Sequence, residues 1–146
     1  MVQTGLNAYK QNVGNTVISK EQLLMKLYTG SLNFLALAKR GIEENNPRVK
    51  GENITKVLCI ITELDCALDM DVGGEMAENL SSLYRHILFS LTDANIKNDI
   101  TIINNVENII REIKTGFQEV LNLSNANLYP PQENNIEQKG GMPLAI

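Results

Sequence analysis

The sequence predicts an all-α fold: an antiparallel up-down four-helix bundle with a mobile N-terminal arm and a disordered C-terminal tail. Three observations predict it. Apolar residues recur at intervals of three and four along four successive stretches. Short polar links join these stretches, and short links make sequential helices antiparallel. Strand-like alternation of apolar and polar residues is absent. The 146 residues fit one domain, divided into an arm over 1–18, a bundle over 19–121 and a flexible tail over 122–146.

Residues 1–18 are polar and only sparsely apolar (Leu6, Tyr9, Val13, Val17, Ile18), the pattern of a loosely held arm. Ser19 and Gln22 form an S-x-x-Q capping box, in which each side chain can take up a free backbone amide of the first turn. Ile18 and Leu23 have the spacing of a hydrophobic staple around that cap. The first helix is predicted from Lys20 to about Glu44, because Pro47 disfavours helix in its predecessor. A second period, Ile54, Val57, Leu58, Ile61, Leu64 and Leu68, is predicted to stop at Asp71-Val72-Gly73-Gly74, where glycines permit the positive φ that ends a helix. A third opens near Glu75 and continues through Met76, Leu80, Leu83, Ile87, Leu91 and Ala94. The fourth follows Asn95–Asn98 with Asp99 as its cap, then Ile102, Ile103, Val106, Ile110, Ile113, Phe117 and Val120. After Asn122 the period dissolves around Ser124-Asn125, Pro130-Pro131 and Gly140-Gly141.

Composition removes several function classes. A net charge of −4 and a pI near 5.0 leave no basic face to displace counterions from nucleic acid. The longest apolar runs, such as Val57–Ile61, fall far below the roughly 18 residues of a membrane span. The first twenty residues hold no continuous apolar stretch after a basic start, so a cytoplasmic protein is expected. Cys59 and Cys66 would sit roughly 10 Å apart on one helix, too far for a bridge, and read as reduced thiols.

Chemistry-bearing constellations are equally sparse. A bundle di-iron centre needs two Glu-x-x-His motifs; the chain has one histidine, His86, and Leu83 stands three residues before it. A calcium loop opening at Asp69 would put Leu80 where the bidentate glutamate belongs. No phosphate loop, dinucleotide fingerprint or nucleophile elbow occurs. The expectation is no catalysis, no metal and no cofactor.

What remains is apolar surface. A helix packed in a bundle needs an apolar stripe of a little over 100°, and Ile54, Val57, Ile60, Ile61, Leu64, Ala67 and Leu68 span roughly 140°. On the first helix Met25 and Leu32 extend around the flank of the Leu23–Leu35 face. On the third, Phe89 lies nearly opposite the Leu83–Ile87 stripe. A wide core explains part of this; the surplus predicts a groove for a partner's amphipathic helix. The arm can shield such a groove when it is empty, laying Tyr9, Val13 and Val17 on it.

Several motifs in one register resemble the bacterial flagellin-export chaperones, the FliS family. They are Tyr9-x-x-x-Val13, the cap at Ser19, and Leu24-Met25-Lys26-Leu27-Tyr28-Thr29-Gly30-Ser31. Ile61-Thr62-Glu63-Leu64, Leu68-Asp69-Met70, Gly73-Gly74-Glu75, Asn79-Leu80, Leu83-Tyr84 and Ala94-Asn95-Ile96-Lys97-Asn98-Asp99 follow in order. The resemblance covers about residues 9–121 and departs from the family's pattern at Lys20, Thr29, Ser31 and His86. It implies a chaperone that binds the C-terminal segment of flagellin, prevents premature polymerisation without ATP, and delivers the subunit to the flagellar export apparatus.

On that basis Tyr9 and Val13 are candidates for a displaceable cover. Ile54, Val57, Ile61 and Leu64 with Ile103, Val106 and Ile110 are candidate groove residues, each equally explicable as core. Tyr28 and Tyr84 are candidate aromatic contacts, or half-buried packers whose hydroxyls reach solvent. The rival expectation is a self-associating structural bundle or adaptor whose surplus apolar surface forms a weak homodimer.

Overall fold

The computed structural model describes residues 18–128. Four helices make up almost all of it: α1 (Lys20–Glu43), α2 (Pro47–Cys66), α3 (Met70–Lys97) and α4 (Ile100–Leu128). Each packs on two neighbours, α1 on α2 and α4, and α3 on α2 and α4, so α1 lies diagonal to α3. With links this short the helices run up, down, up and down. The expected all-α antiparallel bundle is the fold. Most of the arm, including Tyr9 and Val13, and the tail from residue 129 lie outside the described residues.

The helix starts follow from side-chain caps. Ser19 Oγ accepts from the Gln22 amide and Gln22 Oε1 from the Ser19 amide, both at 3.1 Å, so the predicted capping box forms. Asn46 caps α2 by accepting from the Val49 amide at 3.2 Å, with Pro47 at the first helical position. Two polar turns therefore precede Ile54, where the apolar period begins. Asp99 Oδ1 accepts from the Thr101 amide at 2.9 Å and the Ile102 amide at 3.4 Å, as predicted.

The α2–α3 link differs from the expectation. Asp69 Oδ1 accepts from the amides of Asp71 and Val72 at 3.0 and 3.1 Å, which starts a helical turn at Met70, before the glycine pair. Gly74, at φ 52° and ψ −130°, then breaks the helix, and the main shaft of α3 begins at Glu75, where the period opens. At the other end α4 continues to Leu128, beyond Asn122, because nothing between them is a helix breaker.

The core holds Tyr28 and Leu35 of α1, Ile54, Val57 and Ile61 of α2, Tyr84, Ile87 and Leu91 of α3, and Ile103, Val106 and Ile110 of α4. Polar links stitch neighbouring helices around it. Lys39 of α1 pairs with Glu107 of α4 at 2.6 Å, and Ser81 of α3 donates to Asp65 of α2 at 2.6 Å. Lys50 of α2 donates to the Asn95 carbonyl at 2.8 Å and to Asn98 Oδ1 at 2.5 Å. At Gly41 a Cβ would lie 2.5 Å from the Lys50 amide nitrogen, so the bare glycine is what lets α1 and α2 approach.

Candidate partner-binding surface

Burial falls away toward one end of the bundle. There α1 begins, α2 links to α3, and α4 leaves. No residue of 20–26, 65–76 or 114–125 is buried. Leu23, Leu24, Leu68, Leu80 and Phe117 are partly buried against the core, and Met70, Val72, Met76 and Val120 are exposed. This open end leaves large apolar side chains in water, and a monomer seldom does so without a partner.

Helical phase resolves the exposed apolar residues of α3 into two strips. Ser81 and Arg85 reach Asp65 of α2, at 2.6 and 3.9 Å, which fixes the flank of α3 that faces α2. Met76 and Leu83, seven residues apart with Leu80 between them, lie on the other flank, toward α4. On α4, Glu107 faces α1 through Lys39, which turns Ile109, Ile113 and Val120 toward α3. Met76, Leu83 and Val120 thus rim a seam between α3 and α4, with Leu80 and Phe117 half-buried beneath. Met76 is 73% exposed.

The second strip is Phe89 and Ile96, 74% and 76% exposed. They are also seven residues apart and so about 20° apart in phase. They lie on the outer face of α3, on the side of α2, and the wide apolar circumference expected from Phe89 is present. Ile96 falls inside the polar Asn95–Asn98 stretch that reads as a link, and its spacing from Phe89 is the signal that places it on this strip.

The sequence-derived candidates fall elsewhere. Ile54, Val57, Ile61, Leu64, Ile103, Val106 and Ile110 are all buried, the least so Leu64 at 9%. They form the inner faces of α2 and α4, because the most regular stripe on a bundle helix is the one that packs inward. Tyr28 and Tyr84 are also interior, and their hydroxyls do not reach solvent. They bond to each other at 2.5 Å, and the Tyr28 ring stacks on Phe117 with centroids 5.9 Å apart. Burial pushes the Tyr84 hydroxyl up to about 12, and pushes Tyr28 well above its ordinary value, helped by Tyr84.

Among the described residues no helix is long and apolar enough to cross a membrane, and no three His, Cys, Asp or Glu side chains group as metal ligands. His86 is exposed, with Ser90 as its neighbour at 3.5 Å; Cys59 and Cys66 are free thiols.

The sequence model of one protein family, "Flagellar protein FliS", matches residues 2–124. The chain belongs to the FliS family. It is similar to the flagellar secretion chaperone FliS of Vibrio cholerae, 33% identical over 134 residues that cover 90% of this chain and 92% of that protein. The flagellar secretion chaperone FliS of Bacillus subtilis is 32% identical over 120 residues, covering 82% and 88%. The flagellar secretion chaperone FliSB of Pseudomonas aeruginosa is 35% identical over 99 residues, covering 68% and 79%. The resemblance carried by the motifs from Tyr9 to Asp99 holds. Both apolar strips lie inside the FliS match, whereas residues 125–146 lie outside it.

Proposed function

We propose that this chain is a cytoplasmic export chaperone that binds the C-terminal helical segment of flagellin and prevents its premature polymerisation. It then hands the subunit to the flagellar export apparatus. The observation that carries the reading is the exposed apolar surface of α3. Met76, Phe89 and Ile96 are each more than 70% exposed on a chain whose curated relatives are named secretion chaperones. An amphipathic segment that folds on binding can bury these side chains, and the apolar area gained must exceed its ordering entropy.

In this reading the client contacts are the α3/α4 seam and the Phe89–Ile96 strip. Ile54, Val57, Ile61, Leu64, Ile103, Val106 and Ile110 form the rigid floor beneath, and the Tyr28–Tyr84 pair holds it in shape. Tyr9 and Val13 act as the displaceable cover of the open end, where α1 begins. No cofactor and no bond-making step enter.

Light scattering on a chromatographed mixture with flagellin tests the reading. A one-to-one complex is expected; separate elution of the two proteins overturns it. The exposure of Phe89 and Ile96 also favours a second reading, a weak homodimer through α3. Sedimentation of the isolated chain, with and without Phe89→Glu, checks that reading.

A further inference from the structure

The α3/α4 seam has an occupant available in the same chain. Residues 142–146, Met142-Pro143-Leu144-Ala145-Ile146, are five uncharged apolar residues in a row, and residues 1–17 contain no comparable run. Pro143 disfavours helix there, which suits an extended segment laid along a groove.

Where the chain leaves the bundle selects the seam. α4 reaches Leu128 at the open end, and α4 is one wall of the seam. Val120 lies eight residues back along α4 and Ile113 fifteen, about 12 and 22 Å along the axis. The thirteen residues 129–141 between Leu128 and Met142 would span roughly 20 Å root-mean-square as a coil. That span matches the distance to the seam, the condition under which a tether gives its highest effective concentration. Residues 1–18 instead enter at α1, which is diagonal to α3 and forms no wall of the seam. The Phe89–Ile96 strip lies further up α3, on the flank turned away from α4.

From this placement we infer that residues 142–146 dock in the α3/α4 seam, with Leu144 and Ile146 against Met76, Leu83 and Val120. The segment lies outside residues 2–124, the region matched by the family model. A single short segment binds weakly, but tethering raises its effective concentration to the millimolar range. Competition with a client for the seam rests on the functional reading above; the docking itself does not.

The test contains no flagellin, so its failure is distinct from failure of that reading. A nitroxide is attached to the full chain at Gly141→Cys in a Cys59→Ser, Cys66→Ser background, with a thermal melt to verify folding. Methyl signals of methionine, leucine, isoleucine and valine are then recorded. The expected result is strong broadening of Met76, Leu83 and Val120 with Ile96 and Leu37 sharp. Replacing Met142, Leu144 and Ile146 by serine should abolish it. Equal broadening across all these methyls, or a pattern unchanged by the serine substitutions, overturns the inference. So does broadening that appears in a mixture of nitroxide-bearing unlabelled chain with isotope-labelled chain lacking the nitroxide, because the occupant is then a second copy.

Discussion

Tyr28 and Tyr84 meet hydroxyl to hydroxyl at 2.5 Å and so join α1 to α3, the two helices that face each other across the diagonal of the bundle. Tyr28 also stacks on Phe117 of α4, and Ser81, one turn before Tyr84, bonds Asp65 of α2. One buried pair therefore touches or neighbours every helix at the level where the closed core gives way to the open end. Among the described residues, each hydroxyl has the other as its hydrogen-bond partner.

Substituting one tyrosine should be worse than substituting both. Tyr28→Phe or Tyr84→Phe leaves a buried hydroxyl without its partner, and each is expected to destabilise the fold by about 1–3 kcal/mol. The double variant should lose less than the sum. Urea melts analysed as a double-mutant cycle measure the coupling, and strict additivity would show that the two hydroxyls do not stabilise each other.

The same pair sets an alkaline limit. In the unfolded chain a tyrosine deprotonates at about pH 10, whereas burial holds the Tyr84 proton to about 12 in the fold. Between these values the unfolded state binds fewer protons than the native one, so stability falls as pH rises. The slope is about 1.4 kcal/mol per pH unit for one tyrosine. Tyr28, raised further by burial, steepens it. Urea midpoints from pH 9 to 12 should therefore drop less in the doubly Phe-substituted chain than in the parent. Parallel curves would show that the two hydroxyls titrate alike in both states.

Two helical glycines should respond to alanine with opposite signs. At Gly41 an added Cβ would meet backbone of Lys50 at 2.5 Å and of Asn46 at 3.0 Å, so Gly41→Ala should push α1 off α2 and cost about 1–3 kcal/mol. At Gly116, in mid-α4, nothing among the described residues lies within 4 Å of the new Cβ, and Gly116→Ala should stabilise by about 0.5–1 kcal/mol. Thermal melts of the two variants give the signs.

The fold was legible because its signals are local. The capping box at Ser19, the Asp99 cap and the intervals of three and four each act within a few residues, and the structure keeps all of them. The link after α2 was misplaced because the glycine pair is a louder breaker than Asp69, whose cap starts a turn ahead of it. The surface was less legible. Periodicity measures which residues share a face and is silent on whether that face meets another helix or water. Ile54 and Ile110 read equally well as groove or core and are core, whereas Phe89, out of phase with its own stripe, is exposed. The pairing of Tyr28 with Tyr84, 56 residues apart, has no local signal at all.

In the proposed function, the apolar side chains left in water on α3 are there for a client's tail. Titration calorimetry of a flagellin C-terminal peptide into the parent chain and into a Met76→Glu, Leu83→Glu, Phe89→Glu variant tests it most directly. These side chains are exposed, so the variant should keep the parent's melting temperature within a few degrees. Binding to the parent is expected to be one-to-one with a negative heat-capacity change, and the variant should bind at least about tenfold more weakly. Equal affinity for both chains would contradict the claim and place the client elsewhere on the bundle.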